Sequence, residues 1–231
     1  HMARLYGKKM MDMRSTQADD GQIPTIAPEL VEFEGGFKDT PEWGSAFIIF
    51  PWYVYQWYGD KSMIEEYYPD MQRYLDYLTS KSDNHIISYG LGDWFDIGPK
   101  GPGESQLTSN GVTATAIYYY NTTIMQQIAT LLGKPGDAEK YGKQAAEIKQ
   151  SFNHTFWNKS TLKYDRDSQA ANAVAIYMGL TEDKNREQTF RNLVADIRKR
   201  DNALTAGDVG YRYVLRALEE NNASDIIYDM N

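Results

Sequence analysis

Apolar positions along the chain predict helices that come in pairs. Residues 44–58, GSAFIIFPWYVYQWY, are apolar almost all round and predict a buried helix, which Pro51 either kinks or opens. The Gly59-Asp60 pair that follows is a typical helix end. In residues 62–80 the apolar positions are spaced by three and four, which predicts an amphipathic helix. These two helices should form an antiparallel hairpin with one apolar and one polar-faced member.

The same alternation continues to the end of the chain. Further helices are predicted at residues 113–132, 137–155, 169–178, 183–200, 210–220 and 224–230. Strand signals are few, and one short hairpin is expected around residues 162–164. The connections vary in length, and one as long as residues 81–112 usually has a function in a compact domain. Variable connections favour a closed toroid over a helical solenoid, which has short turns and a fixed period.

We therefore predict an all-α fold, a partial (α/α)6 barrel or α/α toroid with about four helix pairs of six. Residues 1–231 should form one incomplete domain of this kind, with His1-Met2 as a remnant of cloning. A truncated barrel exposes the flanks of its inner helices, so we expect the chain to self-associate or to rearrange a helix over them. A clean monomer in light scattering would count against this expectation.

Composition and charge narrow the classes of partner. The 42% apolar content is enough for a core, and the net charge is -8 with lysine and arginine dispersed along the chain. This charge pattern argues against a nucleic-acid partner. No apolar run approaches the ~20 residues that cross a bilayer, and the opening residues lack the apolar core of a signal peptide, so no membrane partner is expected. The sequence does not determine the cellular compartment, and a periplasmic or secreted parent protein is one alternative.

The residue types also bear on cofactors and ligands. The chain has no cysteine, and its three histidines lack the spacing of a metal-binding pair. We therefore expect no metal and no cofactor. Aromatic residues make up 13% of the chain and include 18 tyrosines. Such content is typical of carbohydrate-active proteins, whose rings stack on sugars, and equally of a tyrosine-rich interface between helices.

Acids and aromatics concentrate just before apolar helices, in FKDTPEW at residues 37–43 and in YGLGDWFD at residues 89–96. The candidate residues are Asp39, Glu42, Trp43, Asp93, Trp94 and Asp96. Paired carboxylates beside aromatic rings suit glycoside hydrolysis, in which one acid protonates the leaving oxygen and another activates water. The alternatives are ordinary. Each aspartate can be a turn residue or can brace its loop through backbone N–H groups, and Trp43 can be part of the core.

Four segments of the chain resemble the catalytic domain of bacterial α-L-rhamnosidases, family 78 of the glycoside hydrolases. They are, in chain order, DTPEWGSAFIIFPWYVYQWYGD, GLGDWFDIGP, DSQAANAVAIYMGL and LTAGDVGYRYVLRAL. The resemblance implies an (α/α)6 barrel, an inverting mechanism and a carbohydrate ligand that carries terminal α-L-rhamnose. It also implies that Trp43 and Trp94 are rings that wall the rhamnose pocket, and that Asp93 is a polar contact beside the second ring.

The catalytic acids of the family are not found in this chain. The resemblance implies a general acid in an Asp-Arg-Glu type segment ending in Gly-Trp-Gly-Asp, ahead of the first helices, and a general base in a Thr-Thr-hydrophobic-Trp-Glu segment just beyond residues 224–231. Asp39 and Glu42 match neither position. We therefore expect an internal fragment without catalytic residues and without activity. Turnover of an aryl α-L-rhamnoside well above background would refute this expectation.

Two rival hypotheses remain open from the sequence. One is an inverting glycosidase on the same toroid that acts on glucose-, fucose- or uronate-containing chains. The other is a non-catalytic helical module for protein binding, in which tyrosines line a groove. A cleft shared by Trp43 and Trp94 would favour a glycosidase, whereas positions that lie far apart or in the core would favour the module.

Overall fold

The computed structural model describes residues 2–230 and is mainly α-helical. The helices are α1 Met2–Ser15, α2 Pro41–Gly44, α3 Ala46–Tyr58, α4 Ser62–Lys81, α5 Asn110–Leu131, α6 Pro135–Phe156, α7 Gln169–Tyr177, α8 Asp183–Lys199, α9 Gly210–Glu220 and α10 Ser224–Asp229. A 3-10 turn occupies Gly35–Phe37, and two short strands, β1 Trp157–Asn158 and β2 Lys163–Tyr164, pair antiparallel. His1, which belongs to the expected cloning remnant, lies outside the described residues.

Contacts divide the described chain into two compact units. The first contains residues 2–90 and 117–148, and the second contains residues 91–116 and 149–230. The expectation of one domain over residues 1–231 stays a prediction.

The first unit contains the predicted hairpin of α3 and α4. Helix α3 begins at Ala46, because the preceding turn forms the short helix α2, which Pro41 starts at its first position. The helix continues through Pro51 and ends where Gly59 adopts the left-handed conformation, with a φ of 70°. Helix α4 packs against α3 with one face buried, so the amphipathic pattern is confirmed.

Helix α1 was not predicted from the sequence. Its segment is polar on most faces, and only Met10 and Met13 are buried. Helix α1, which carries these two side chains, packs against α3. The apolar signal was therefore too sparse to mark the helix, and its partner helix lies more than thirty positions further along the chain.

The second unit is built around α7, whose residues 169–176 are all buried. Small side chains let its neighbours approach closely: a β-carbon at Gly210, the first residue of α9, would lie 2.5 Å from the β-carbon of Ala170. Helix α7 packs against both α8 and α9. Its start is fixed by Ser168, whose hydroxyl accepts a hydrogen bond from the Ala171 N–H.

The predicted β-hairpin is present, but it begins earlier than expected, at Trp157, and ends at Tyr164. Trp157 pairs with Tyr164 across the two strands, and their rings lie 4.8 Å apart. The buried Tyr164 hydroxyl donates to Asn153 over 2.5 Å. This contact joins the hairpin to the end of α6.

The helical pattern predicted from the sequence is confirmed. Among residues 2–230, α3 to α10 follow one another in the predicted order, and each predicted helix is present with ends shifted by at most three residues. The second member of each of the pairs α3–α4 and α7–α8 has a buried face and a polar face, as the alternation indicated.

Candidate functional site

The candidate site of the second unit is an irregular segment, residues 91–107, which we call the Trp94 loop. Its backbone is fixed by hydrogen bonds and not by regular structure. The Trp94, Phe95 and Asp96 N–H groups donate to the carbonyls of Gly92, Gly103 and Asp93, at 2.9, 2.9 and 3.1 Å. The loop is therefore ordered although it contains no helix or strand.

Asp93 anchors one side of this loop. Its carboxylate accepts hydrogen bonds from the Gly207 N–H at 2.9 Å and the Gly210 N–H at 2.7 Å. The second bond places the negative charge at the N-terminus of α9, where the helix dipole favours an anion. The residue is only 1% exposed. Burial raises the pKa of Asp93 to about 6, although the two N–H donors act in the opposite direction.

Asp96 anchors the other side of the loop. Its carboxylate accepts from the backbone N–H groups of Gln106 and Leu107, at 2.9 and 2.6 Å. It also accepts from the Ser105 hydroxyl at 3.3 Å. The expectation that Asp93 and Asp96 brace the loop through backbone N–H groups is thus confirmed for both residues.

The backbone of residues 205–210 forms the surface against which the loop lies. The Ile97 N–H donates to the Thr205 carbonyl at 2.9 Å, and the Asp208 N–H donates to the Trp94 carbonyl at 2.7 Å. A β-carbon at Gly207 would lie 2.1 Å from that same carbonyl oxygen. Only glycine fits at this position, because the two backbones touch there.

These bonds leave two neighbouring aromatic rings at the outer edge of the loop. Trp94 is half-buried and Phe95 is exposed. The ring centroids are 5.2 Å apart and the planes are nearly perpendicular, at 80°. This edge-to-face pair gives the loop an aromatic surface that solvent can reach.

Trp43 lies in the first unit, in the short helix α2. The Trp43 N–H donates to the Thr40 carbonyl at 3.1 Å, and the residue is half-buried. Trp43 is therefore not a fully buried core residue. Its neighbour Glu42 is half-buried as well.

Asp39 also lies in the first unit and is bound by a tyrosine. The Tyr77 hydroxyl donates to Asp39 Oδ2 at 2.5 Å. Burial raises the pKa of Asp39, and the hydrogen bond from Tyr77 partly offsets this effect. A carboxylate held in this way stabilises the turn before α2, which agrees with the alternative of a turn residue.

The partners that hold the loop are not evident from the sequence. The segment LTAGDVG at residues 204–210 carries the resemblance but does not by itself indicate a role for Gly207 or Gly210. The available signal was the pair of glycines three positions apart at the start of a helix. Phe95 was also missed, since nothing in the sequence shows that its ring is exposed.

Within residues 2–230, no three histidine, aspartate or glutamate side chains form a group that could hold a metal ion. In the same residues, each helix is too short or too polar to cross a membrane.

The chain matches a family model along its full length. The model describes the bacterial alpha-L-rhamnosidase six-hairpin glycosidase domain, and the match covers residues 1–231. An alpha-L-rhamnosidase of Streptomyces avermitilis is 30% identical over 227 residues, which cover 98% of this chain and 21% of that protein.

Solved structures agree with this match. The crystal structure of the Streptomyces avermitilis alpha-L-rhamnosidase complexed with L-rhamnose superimposes with a TM-score of 0.88, at 29% identity, over 98% of this chain and 21% of that chain. The alpha-L-rhamnosidase of Dictyoglumus thermophilum gives a TM-score of 0.89, also at 29% identity, over 99% of this chain and 26% of that chain. The chain thus spans about a fifth to a quarter of the length of these relatives.

These matches confirm two predictions, the resemblance and the fold class, an all-α α/α toroid. The chain belongs to the bacterial α-L-rhamnosidase six-hairpin glycosidase domain family.

Proposed function

We propose that this chain is the rhamnose-binding part of a glycoside hydrolase that releases terminal α-L-rhamnose. The observation that carries the proposal is the Trp94 loop, on which a solvent-accessible aromatic pair is held by the two buried carboxylates of Asp93 and Asp96. A sugar presents apolar C–H faces that pack against such rings. One of the matched relatives was crystallised with L-rhamnose, which supports this choice of sugar.

In this proposal Trp94, in the second unit, is a ring that contacts the rhamnose. The same role for Trp43, in the first unit, stays a prediction. Asp93 contributes through the loop, because both of its oxygens already accept backbone hydrogen bonds in a site that solvent barely reaches. A direct contact between Asp93 and the sugar stays a prediction. It would require a sugar hydroxyl to reach an oxygen of Asp93, a residue that is only 1% exposed.

The longer protein would hydrolyse its substrate with inversion, using one carboxylic acid and one carboxylate on opposite sides of the sugar. None of the 231 residues is assigned either role, because the two motifs that would carry the catalytic glutamates are not found among them. The chain by itself would bind the sugar without cleaving it. Self-association through helix flanks remains part of the proposal.

Titration of the chain with monosaccharides tests the choice of sugar. We expect L-rhamnose to shift the indole N–H signals of Trp94 and Trp43 in a two-dimensional NMR spectrum, at concentrations where L-fucose and D-glucose have little effect. The assignment can be made by single Trp→Phe substitutions. Equal responses to all three sugars would favour the rival glycosidase hypothesis, and no response to any of them would contradict sugar binding.

A further inference from the structure

Phe95 combines two unfavourable features that its neighbours do not share. Its φ is 62°, in the left-handed region that bulky side chains rarely adopt, and its ring is 48% exposed. A glycine or asparagine would adopt this backbone with less strain. An apolar ring gains little stability when it stays in water. The position therefore carries an aromatic residue at a cost that folding alone does not explain.

The surrounding backbone forces this conformation. The Phe95 N–H donates to the Gly103 carbonyl, and the residues on either side, Trp94 and Asp96, are each held by hydrogen bonds of their own. The Asp208 N–H also binds the Trp94 carbonyl, which is the peptide oxygen directly before Phe95. The direction of the Phe95 Cα–Cβ bond cannot change without breaking these bonds. The side chain is consequently presented towards solvent.

Strain by itself does not mark a site, and the chain contains an instructive comparison. Leu162 also has a left-handed backbone, with a φ of 57°, and is 45% exposed. It lies in the turn between β1 and β2, where the turn geometry accounts for the conformation. Phe95 differs because its ring lies 5.2 Å from Trp94, the proposed sugar-binding ring.

We infer that Phe95 is a specificity-determining residue that contacts the aglycone, the group attached to the terminal rhamnose, through an apolar or aromatic face of that group. This inference rests on the proposed function. Trp94 is half-buried and Phe95 lies further towards solvent on the same aromatic surface. A sugar that packs on the inner ring would therefore direct its glycosidic substituent towards the outer ring. Ile97, which is 65% exposed on the same loop, extends this apolar surface.

The inference is tested by comparing two ligands on the intact chain: L-rhamnose and 4-nitrophenyl α-L-rhamnoside. Calorimetry should show that the wild-type chain binds the aryl glycoside about three- to tenfold more tightly, since its nitrophenyl ring can pack on Phe95. In Phe95→Gly this preference should disappear, so that the two ligands bind with about equal affinity. The affinity for L-rhamnose itself should change less than about twofold. The melting temperature of Phe95→Gly should be equal to or above that of the wild type, because glycine relieves the strain.

Two further variants keep the test decisive. Leu162→Gly removes an exposed side chain from an equally strained position and should keep the wild-type preference for the aryl glycoside. Phe95→Asn also tolerates the left-handed backbone but lacks the extra flexibility of glycine, so it should lose the preference as Phe95→Gly does. A preference that is lost in Phe95→Gly and kept in Phe95→Asn would come from loosening of the loop and overturns the inference.

The failures of the inference and of the proposed function are distinguishable. An unchanged preference in both Phe95 variants, or an equal loss of affinity for both ligands, overturns the inference and leaves the proposed function standing. Absence of binding of either ligand to the wild-type chain overturns both.

Discussion

Asp93 is a buried charge that holds an irregular loop in place. Its carboxylate joins the Trp94 loop to the start of α9 through the Gly207 and Gly210 N–H groups. These donors recover part of the free energy that is lost when the charge leaves water. The recovery is incomplete, because the pKa of Asp93 is raised from 3.8 to about 6. The folded protein therefore binds this proton more tightly than the unfolded chain does.

The raised pKa predicts how stability depends on pH. Between about pH 4 and pH 6 the folded state holds a proton that the unfolded chain has released, so the free energy of unfolding falls as the pH rises. The fall amounts to about 3 kcal/mol at most. The asparagine side chain of the Asp93→Asn variant cannot ionise, so this variant should lack the fall in the free energy of unfolding. Urea denaturation of both proteins at several pH values between 4 and 7 measures the difference.

A surface aspartate provides the control for this experiment. Asp60 is fully exposed, and its pKa is lowered by hydrogen bonds from Ser62. Asp60→Asn should therefore keep the fall between pH 4 and pH 6. Parallel pH profiles for Asp93→Asn and the wild type would show that the buried carboxylate is not the cause. Asp39, whose pKa is also raised, is present in all three proteins and cancels in the comparison.

At the scale of elements, the Trp94 loop depends on a backbone contact with the segment before α9. The loop and this segment touch at Gly207, where no side chain fits between them. Helix α9 in turn lies close to α7, because Gly210 adjoins Ala170. The most buried helix of the second unit therefore fixes the direction of the aromatic loop.

Gly207→Ala should disturb this arrangement. Its β-carbon would overlap the Trp94 carbonyl oxygen, so the loop must move, at a cost of about 1–3 kcal/mol in the free energy of unfolding. Hydrogen exchange at residues 94–97 should become faster. Gly136→Ala is the matched control, because a β-carbon there meets nothing within 4 Å and lies in the first turn of α6. An unfolding free energy for Gly207→Ala that equals that of Gly136→Ala would contradict the backbone contact.

The elements also show which parts of the fold are local properties of the sequence. Helix α4 was predictable because its signals are local. Its apolar spacing and the glycine that ends the preceding helix lie within one short stretch of sequence. The break between α2 and α3 was not predicted, because Ser45 remains nearly helical and interrupts the regular bonding only briefly. The partners of Asp93 lie 114 and 117 positions away along the chain. No local pattern encodes such a pairing, so it could be found only from the structure.

At the scale of the whole molecule, we propose that the chain supplies a sugar-binding loop and that the catalytic carboxylates belong to other parts of a longer protein. The family could be inferred from four short segments, since they combine tryptophan, glycine and acid residues in a fixed order. The residues that we propose to contact the ligand could be inferred from the sequence only in part. Trp94 was named from the sequence, whereas the exposure of Phe95 depends on a backbone conformation that the sequence does not reveal.

The most direct test of the central claim is the affinity for L-rhamnose of three proteins: the wild-type chain, Trp94→Ala and Trp57→Ala. Trp57 is 81% exposed near the end of α3 and serves as a tryptophan control outside the loop. We predict that Trp94→Ala lowers the affinity by about tenfold or more, as expected for a central aromatic contact, and that Trp57→Ala leaves it unchanged. An affinity of Trp94→Ala equal to that of the wild type would contradict the assignment of the Trp94 loop as the rhamnose-binding surface.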